Sequence, residues 1–301
     1  PLAIIENNDA AIFVNFRIDR PRQLAKAFVL DNFEKNANIV GFDPFAIELT
    51  GKHLAIDTSK LTPFSRPDKL QNLYFVTMTE YESNLPTHIA FPPLSVQDPI
   101  GFVASSHGLK QLRMSESEKE RFVTYYMNGL KENPYPNEDR IIVPSPKVST
   151  YDKKPEMSAI ELTDKLIAEI KTNKYDLIIL NYANADMVGH TGNINQAIIA
   201  CESIDTCLSR VHQAILDSGG IMLITADHGN VEQMIDLSTG NQDTEHNANP
   251  VPFIAVGKNL PSIQLQQGIL ADVAPTALSL LNIPIPFTFS GRNLLAALSL
   301  L

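Results

Sequence analysis

Tyr175-Asp-Leu-Ile-Ile-Leu-Asn181 and Ile221-Met-Leu-Ile-Thr-Ala226 decide the fold class. Each is a short unbroken apolar run, the pattern of a strand buried on both faces of a parallel sheet. Between them Ile194, Ala197, Ile198, Cys201, Ile204, Leu208, Val211 and Ile215 recur at three- and four-residue spacing, which predicts a helix over 193–217. Gly219-Gly220 supplies its stop. Upstream, Pro155-Glu-Met-Ser158 opens another helix with Leu162, Leu166, Ile167 and Ile170 on one face, and Ser158 with Glu161 has the spacing of a capping box. Downstream, Pro252-Phe-Ile-Ala-Val256 reads as a further buried strand, and Asp272 as the cap of a last helix running to Leu281. Helix and buried strand alternate, so the expected architecture is α/β, a three-layer sandwich around a mostly parallel sheet.

The first part of the chain reads differently. Ala11-Ile-Phe-Val-Asn15 is a strand candidate that ends in the charged cluster Arg17-Ile-Asp-Arg-Pro-Arg22, a helical stretch covers 23–33, and Leu73-Tyr-Phe-Val-Thr-Met78 is a second strand candidate. Residues 36–72 show no sustained period. Pro92-Pro93 follows Phe91, and paired prolines continue neither a helix nor a central strand, which puts a linker near 92–99. The chain's 301 residues fit about two domains at roughly 150 residues each. The expected division is a small α/β region, 1–93, and a larger one, 94–301.

Lys and Arg number 24 against 34 Asp and Glu, a net charge of −10. That balance argues against nucleic-acid and anionic-membrane partners, which need a basic surface. Cys201 and Cys207 are the two cysteines. On one helix six steps separate them by about 9 Å along the axis, beyond disulfide reach, so a reducing, cytoplasmic setting is expected. No apolar run reaches the ~18–20 residues of a membrane span. Pro1-Leu-Ala-Ile-Ile-Glu6 lacks the basic start of a signal peptide, and the chain begins without Met.

Open α/β sheets bind ligands beyond the carboxyl ends of their strands, and two of those ends carry metal-ligand residue types. After the first, Asp186 and His190 stand four apart, so one helical turn puts both on one face, a spacing that also suits a surface pair. After the second comes Asp227-His228-Gly229-Asn230. Adjacent strand side chains point apart, so Asp227 and His228 converge only where the strand ends and Gly229 lets the chain turn. His246 lies in a polar loop before the next strand, while His53, His88 and His107 read as loop residues and His212 as a helix-surface residue. Arg17 and Arg20 suit a phosphate or carboxylate clamp, with a solvated helix start as the alternative. By composition Lys119, in Glu116-Ser-Glu-Lys-Glu-Arg121, reads as part of a charged surface run.

In combination and order these segments resemble cofactor-independent phosphoglycerate mutase, a two-metal family of the alkaline-phosphatase superfamily. Asn15-Phe-Arg-Ile-Asp-Arg-Pro-Arg-Gln23 is similar to the family's Asn-Phe-Arg-Pro-Asp-Arg-x-Arg segment, with Ile18 in place of the usual Pro. Gly108-Leu-Lys-Gln-Leu-Arg113, Glu116-Ser-Glu-Lys119, Pro144-Ser-Pro-Lys-Val148 and Pro155-Glu-Met-Ser158 resemble further family blocks. Asn184-Ala-Asp186-Met-Val-Gly-His190-Thr-Gly192 and Thr225-Ala-Asp227-His228-Gly-Asn230 resemble its metal motifs. The resemblance implies that Asp186, His190 and His246 hold one Mn²⁺ and that Asp227 and His228 belong to a second, with Zn²⁺ also admitted by ligand type. It implies that Arg17 and Arg20 bind phosphoglycerate and that Lys119 approaches the transferring phosphate, against its surface reading. The implied reaction is isomerisation of 3- and 2-phosphoglycerate through a phosphoserine.

The family's nucleophilic Ser motif and Asp-Gly metal motif match nothing in residues 1–100, and Ser105 and Ser106 read as loop residues. The expectation is therefore a C-terminal part of the enzyme. Residues 1–93 would be the end of the phosphotransferase domain and 94–301 most of the phosphatase-like domain, inactive alone. The missing N-terminal part would be its partner, and an uncovered sheet edge would lower its stability. Two alternatives stand beside this: a non-catalytic metal-binding fragment, and another phosphohydrolase of the superfamily.

Overall fold

The computed structural model describes residues 4–16, 19–37, 62–66, 68–82, 84–92, 96–258, 260 and 265–295. Arg17, His53 and most of the 36–72 stretch lie outside the described residues, as does the side chain of Arg20. The chain divides into two compact units, Pro1–Ser95 and Val96–Leu301.

In the first unit β1 (Ala10–Phe13), β2 (Tyr74–Thr77) and β3 (His88–Ile89) form a parallel sheet in that order. Helix α1 (Asp19–Val29) lays Ala25 and Val29 against Phe75 and Tyr81, with Phe28 stacked on Phe75. The helix starts earlier than its hydrophobic period and stops short of residue 33. A left-handed Asn32 (φ 48°) breaks the chain before a single further turn, α2 (Phe33–Asn36). His88, expected in a loop, lies in β3 and stacks on Tyr74.

The second unit runs α3 (Ile100–Ser106), β4 (Gln111–Glu116), α4 (Glu120–Val123), β5 (Glu138–Val143), α5 (Ala159–Lys171), β6 (Leu177–Leu180), α6 (Asn184–Gly189), α7 (Ile194–Ser218), β7 (Ile221–Thr225), β8 (Phe253–Gly257) and α8 (Val273–Leu280). Strands β5, β4 and β6 form a parallel sheet in that spatial order, with Met114 opposite Ile141 and Leu180. Alternation along β6 explains the three layers. Ile178 and Leu180 join Leu112, Met114, Leu162, Leu166 and Val211 beneath α5 and α7. Leu177 and Ile179 join Ile100, Val103 and Leu278 beneath α3 and α8. Full burial of such a side chain contributes about 1.5–3 kcal/mol, a limit that Leu112, Met114, Leu162 and Leu278 reach at 0% exposure.

Four local expectations change, the last being the loop reading of Ser105 and Ser106. Strand β8 runs antiparallel to β7, pairing Ile221 with Gly257 and Thr225 with Phe253. No α-helix lies between them to carry a parallel crossover, so the chain returns beside its own strand. The Ser158–Glu161 capping box does not form. Ser158 Oγ donates to the Pro144 carbonyl, its backbone N–H donates to Glu116, and Glu161 pairs with Lys165. Asp272 sits at the N-cap of α8 but binds the backbone N–H groups of Ile269 and Arg292 instead of the helix's first turn. Ser105 and Ser106 close α3, where Ser106 Oγ donates to Val103.

Helix α7 has the extent and ends its sequence predicts, but its buried face is Ala197, Ala200, Cys207, Val211 and Ala214, with Ile194, Ile198 and Cys201 exposed. Asn193 accepts from the Gln196 N–H at its start, and Gly219 ends it at φ 72°, the left-handed cap that glycine adopts without strain. Both cysteines are free thiols on this helix: Cys207 is buried, and Cys201 is exposed in a groove it shares with Val231 and Met234. Among the described residues no helix is long and apolar enough to cross a membrane.

Candidate metal centre

All the donors of the centre come from chain beyond the carboxyl ends of β4, β6 and β7. After β6, the short helix α6 projects Asp186 and His190 from one face. After β7 the chain turns through Asp227-His228-Gly229-Asn230, and Gly229 exchanges backbone hydrogen bonds with Asn247 at 3.3 and 3.0 Å. That bridge brings in the loop carrying His246. After β4, a 3-10 turn (Ser117–Lys119) buries Lys119.

Asp186 is the hub. Its Oδ1 lies 2.9 Å from His246 Nε2 and 3.1 Å from His190 Nε2, and those two nitrogens are 3.0 Å apart. His228 joins from above: its ring stacks on His246 with centroids 3.6 Å apart, and its Nε2 stands 3.9 Å from the same oxygen. The other oxygen, Oδ2, takes a 2.5 Å ion pair from Lys119 Nζ, which also lies over the Phe122 ring. Burial pushes the Asp186 carboxyl up. The Lys119 hydrogen bond and charge, with His190 and His246, outweigh burial and hold it below its ordinary value.

The donor set fits a divalent cation. His190 Nδ1 lies 2.7 Å from the Thr244 carbonyl, which can only accept, so Nδ1 carries a proton and, in the neutral ring that binds a metal, Nε2 presents a lone pair. A backbone carbonyl orienting the far nitrogen is the usual support of a metal-binding imidazole. The lone pair of His190 faces a carboxylate oxygen and a second imidazole, an arrangement that a shared cation satisfies. Tetrahedral ligands at about 2.0–2.1 Å stand about 3.4 Å apart, so the triangle needs to open by only a few tenths of an ångström. Asp186, His228 and His246 also offer ligand atoms within 4.8 Å of one another.

The sequence-predicted residues thus meet unevenly. Asp186, His190, His228, His246 and Lys119 converge. Lys119 is buried at 7% exposure, not on the surface that its composition suggested. Asp227 is largely exposed and lies 3.5 Å from His228 Nε2. Two participants escaped the sequence reading. Asn230 donates from Nδ2 to Asp186 Oδ1 at 3.2 Å, and Glu232 accepts from the Asn230 backbone N–H at 2.8 Å. Their position just after Asp227-His228 was the available signal.

Strands β4 and β6 of the parallel sheet, with β7 of the antiparallel β7–β8 pair, lead into a convergent carboxylate and imidazole set of the kind that metalloenzymes use. The chain belongs to the metalloenzyme superfamily, whose family model matches residues 23–285. It is similar to 2,3-bisphosphoglycerate-independent phosphoglycerate mutase 2 of Methanosarcina barkeri, with 46% identity over 98% of this chain and 50% of that protein. The corresponding mutase of Chloroflexus aggregans is 45% identical over 98% of this chain and 54% of its own length. Among solved structures, Leishmania mexicana phosphoglycerate mutase at low cobalt concentration superposes with a TM-score of 0.65 at 26% identity, covering 97% of this chain and 52% of that one. The chain spans about half the length of the curated relatives it matches.

Proposed function

We propose that this chain carries the metal-binding part of a cofactor-independent phosphoglycerate mutase, an isomerase that moves phosphate between the 3- and 2-hydroxyls of glycerate through a phosphoserine. The observation that supports it best is the Asp186–His190–His246 triangle with Lys119 against its carboxylate, in a chain 46% identical to mutases of that name.

In this reading Asp186, His190 and His246 hold one Mn²⁺, and Asp227 and His228 contribute to a second. Bound divalent ions lower the pKa of an attacking hydroxyl and neutralise phosphoryl charge. The chain's own residues do the rest. The Lys119 ammonium lies in a water-poor corner and serves a phosphoryl oxygen. The guanidinium forks of Arg17 and Arg20 grip the anionic groups of phosphoglycerate. Residues 1–93 belong to the substrate-binding domain and 94–301 to the phosphatase-like domain. The nucleophilic serine and the remaining ligands of the second metal come from outside these 301 residues, and the setting is cytoplasmic.

The test is a coupled assay. The chain is incubated with Mn²⁺ and 3-phosphoglycerate, with and without the N-terminal half of a relative, and the product is drawn through enolase. Turnover in the combined arm alone is expected. Turnover by the chain alone overturns the outside serine, and silence in both arms overturns the mutase reading.

A further inference from the structure

The Asp186 carboxylate is held on both of its oxygens by groups that are not metal ligands. Lys119 Nζ takes Oδ2 at 2.5 Å, and Asn230 Nδ2 donates to Oδ1 at 3.2 Å, beside the two histidine nitrogens. Asn230 is itself fixed. It is buried, and its Oδ1 sits where a Cβ on Gly189 would be, 2.0 Å from that imagined atom. Its backbone N–H donates to Glu232 Oε2, and Glu232 Oε1 accepts from Asn249 Nδ2 at 3.0 Å, on the loop that carries His246. Partial burial pushes the carboxyl of the otherwise exposed Glu232 up, but the donors around it, Asn249 first, outweigh that and hold it down at about 2, so it stays an anion and an acceptor. One short chain of hydrogen bonds thus joins α6, the turn after β7 and the His246 loop.

We propose that Asn230 and Glu232 are positioning residues that, with Lys119, restrict Asp186 to ligating a divalent ion through one oxygen. This rests on the metal-centre part of the proposed function. A carboxylate that embraces a cation with both oxygens needs both free, the mode common for Ca²⁺ with its six to eight oxygens at about 2.3–2.6 Å. Here Oδ2 belongs to Lys119, and Oδ1 is oriented by the Asn230 amide toward His190 and His246. A single oxygen with two imidazoles suits a smaller transition-metal ion at about 2.0–2.2 Å. Gly189 has a reason in the same geometry, since any side chain there would push Asn230 off the carboxylate.

The whole 301-residue chain, stripped of metal, is titrated with Co²⁺ and followed by its visible absorption band, which reports coordination geometry. Asn230→Ala and Glu232→Gln are each expected to weaken Co²⁺ binding by about 10–100-fold and to change the band, as loss of an outer partner does. Gly189→Ala leaves every donor in place and is expected to do the same, which keeps the test alive if an Asn230 variant fails to fold. Lowered melting with an unchanged band and affinity would mean a merely structural role and overturns the proposal. So does Co²⁺ affinity within about twofold of the parent in folded variants, given the 10–100-fold expected for an outer partner. A parent chain that binds no Co²⁺ overturns the metal centre as well, which separates the two failures.

Discussion

The end of β6 and the turn after β7 each offer one site an Asp and a His, and they differ in how much water reaches them. On the closed side the Asp186 side chain is 15% exposed, with Lys119 on one oxygen and Asn230 and histidines on the other. On the open side the Asp227 side chain is 57% exposed and lies beside His228. A charge withdrawn from water is costly unless it is paired, and pairing gives it a fixed direction. An exposed carboxylate has neither cost nor direction. On the proposed function, the first Asp–His pair would be an arranged ligand set within this chain, and the second half of one.

Asp186→Ala is the hardest test of that contrast. It removes the hub and leaves Lys119 buried without its counter-charge, so urea unfolding should show a loss of about 3–5 kcal/mol, with metal binding abolished. A loss below about 1 kcal/mol would mean that Lys119 simply turns to solvent, and the closed side would not be closed. His190→Ala and His246→Ala come next. Each is expected to lower metal affinity at least about 100-fold in elemental analysis after dialysis, since even outer partners cost 10–100-fold. Unchanged metal content in both would break the assignment of the first site.

Glu116, at the end of β4, extends the comparison to pH. Burial pushes its carboxyl up to about 7, against the hydrogen bonds from Ser158 and Ser145. The folded chain therefore binds a proton there that the unfolded chain releases near 4.5. Its contribution to stability is complete below about pH 4.5 and is lost as pH rises through about 7. Glu116→Gln should flatten this part of the pH–stability curve and gain on the order of 2 kcal/mol at pH 8. An unchanged slope would show that water reaches Glu116. Asp227→Ala is the smallest perturbation: less than about 0.5 kcal/mol in stability, with first-site affinity untouched. A larger change would mean that the open side already acts as a ligand without further groups.

Much of this was legible from residue spacing. Asp186 and His190 fell one turn apart, Gly229 marked the turn, and the period of α7 placed the helix but not its buried face, since Ala200, Cys207 and Ala214 are buried while Ile194, Ile198 and Cys201 are exposed. The burial of Lys119 was not, and β4 explains why. Gln111-Leu-Arg-Met-Ser-Glu116 alternates apolar and polar residues like a half-exposed strand, yet all six are buried. The polar face is satisfied only in part, since Arg113 Nε and Nη1 and Ser115 Oγ are buried without a hydrogen bond among the described residues. Gln111 reaches the Gly101 carbonyl and accepts from Arg113, and Glu138 receives Asn128 and Arg140. Strand period reports which residues share a face, and only tertiary partners decide whether a polar face is wet. The failed capping box has the same origin. Glu116, 42 residues upstream, takes the N–H of Ser158. The resemblance of Glu116-Ser-Glu-Lys119 to a family block located Lys119 where its composition did not.

The unlike surroundings of the two cysteines make the metal loop observable. Cys207 is sealed inside α7, whereas Cys201 faces a groove lined by Val231 and Met234, one and four residues beyond Asn230. A maleimide dye added to the native chain therefore labels a single position without prior mutagenesis. Its emission would register any movement of the 231–234 stretch as a cation enters, giving a ligand-binding signal that needs neither substrate nor turnover.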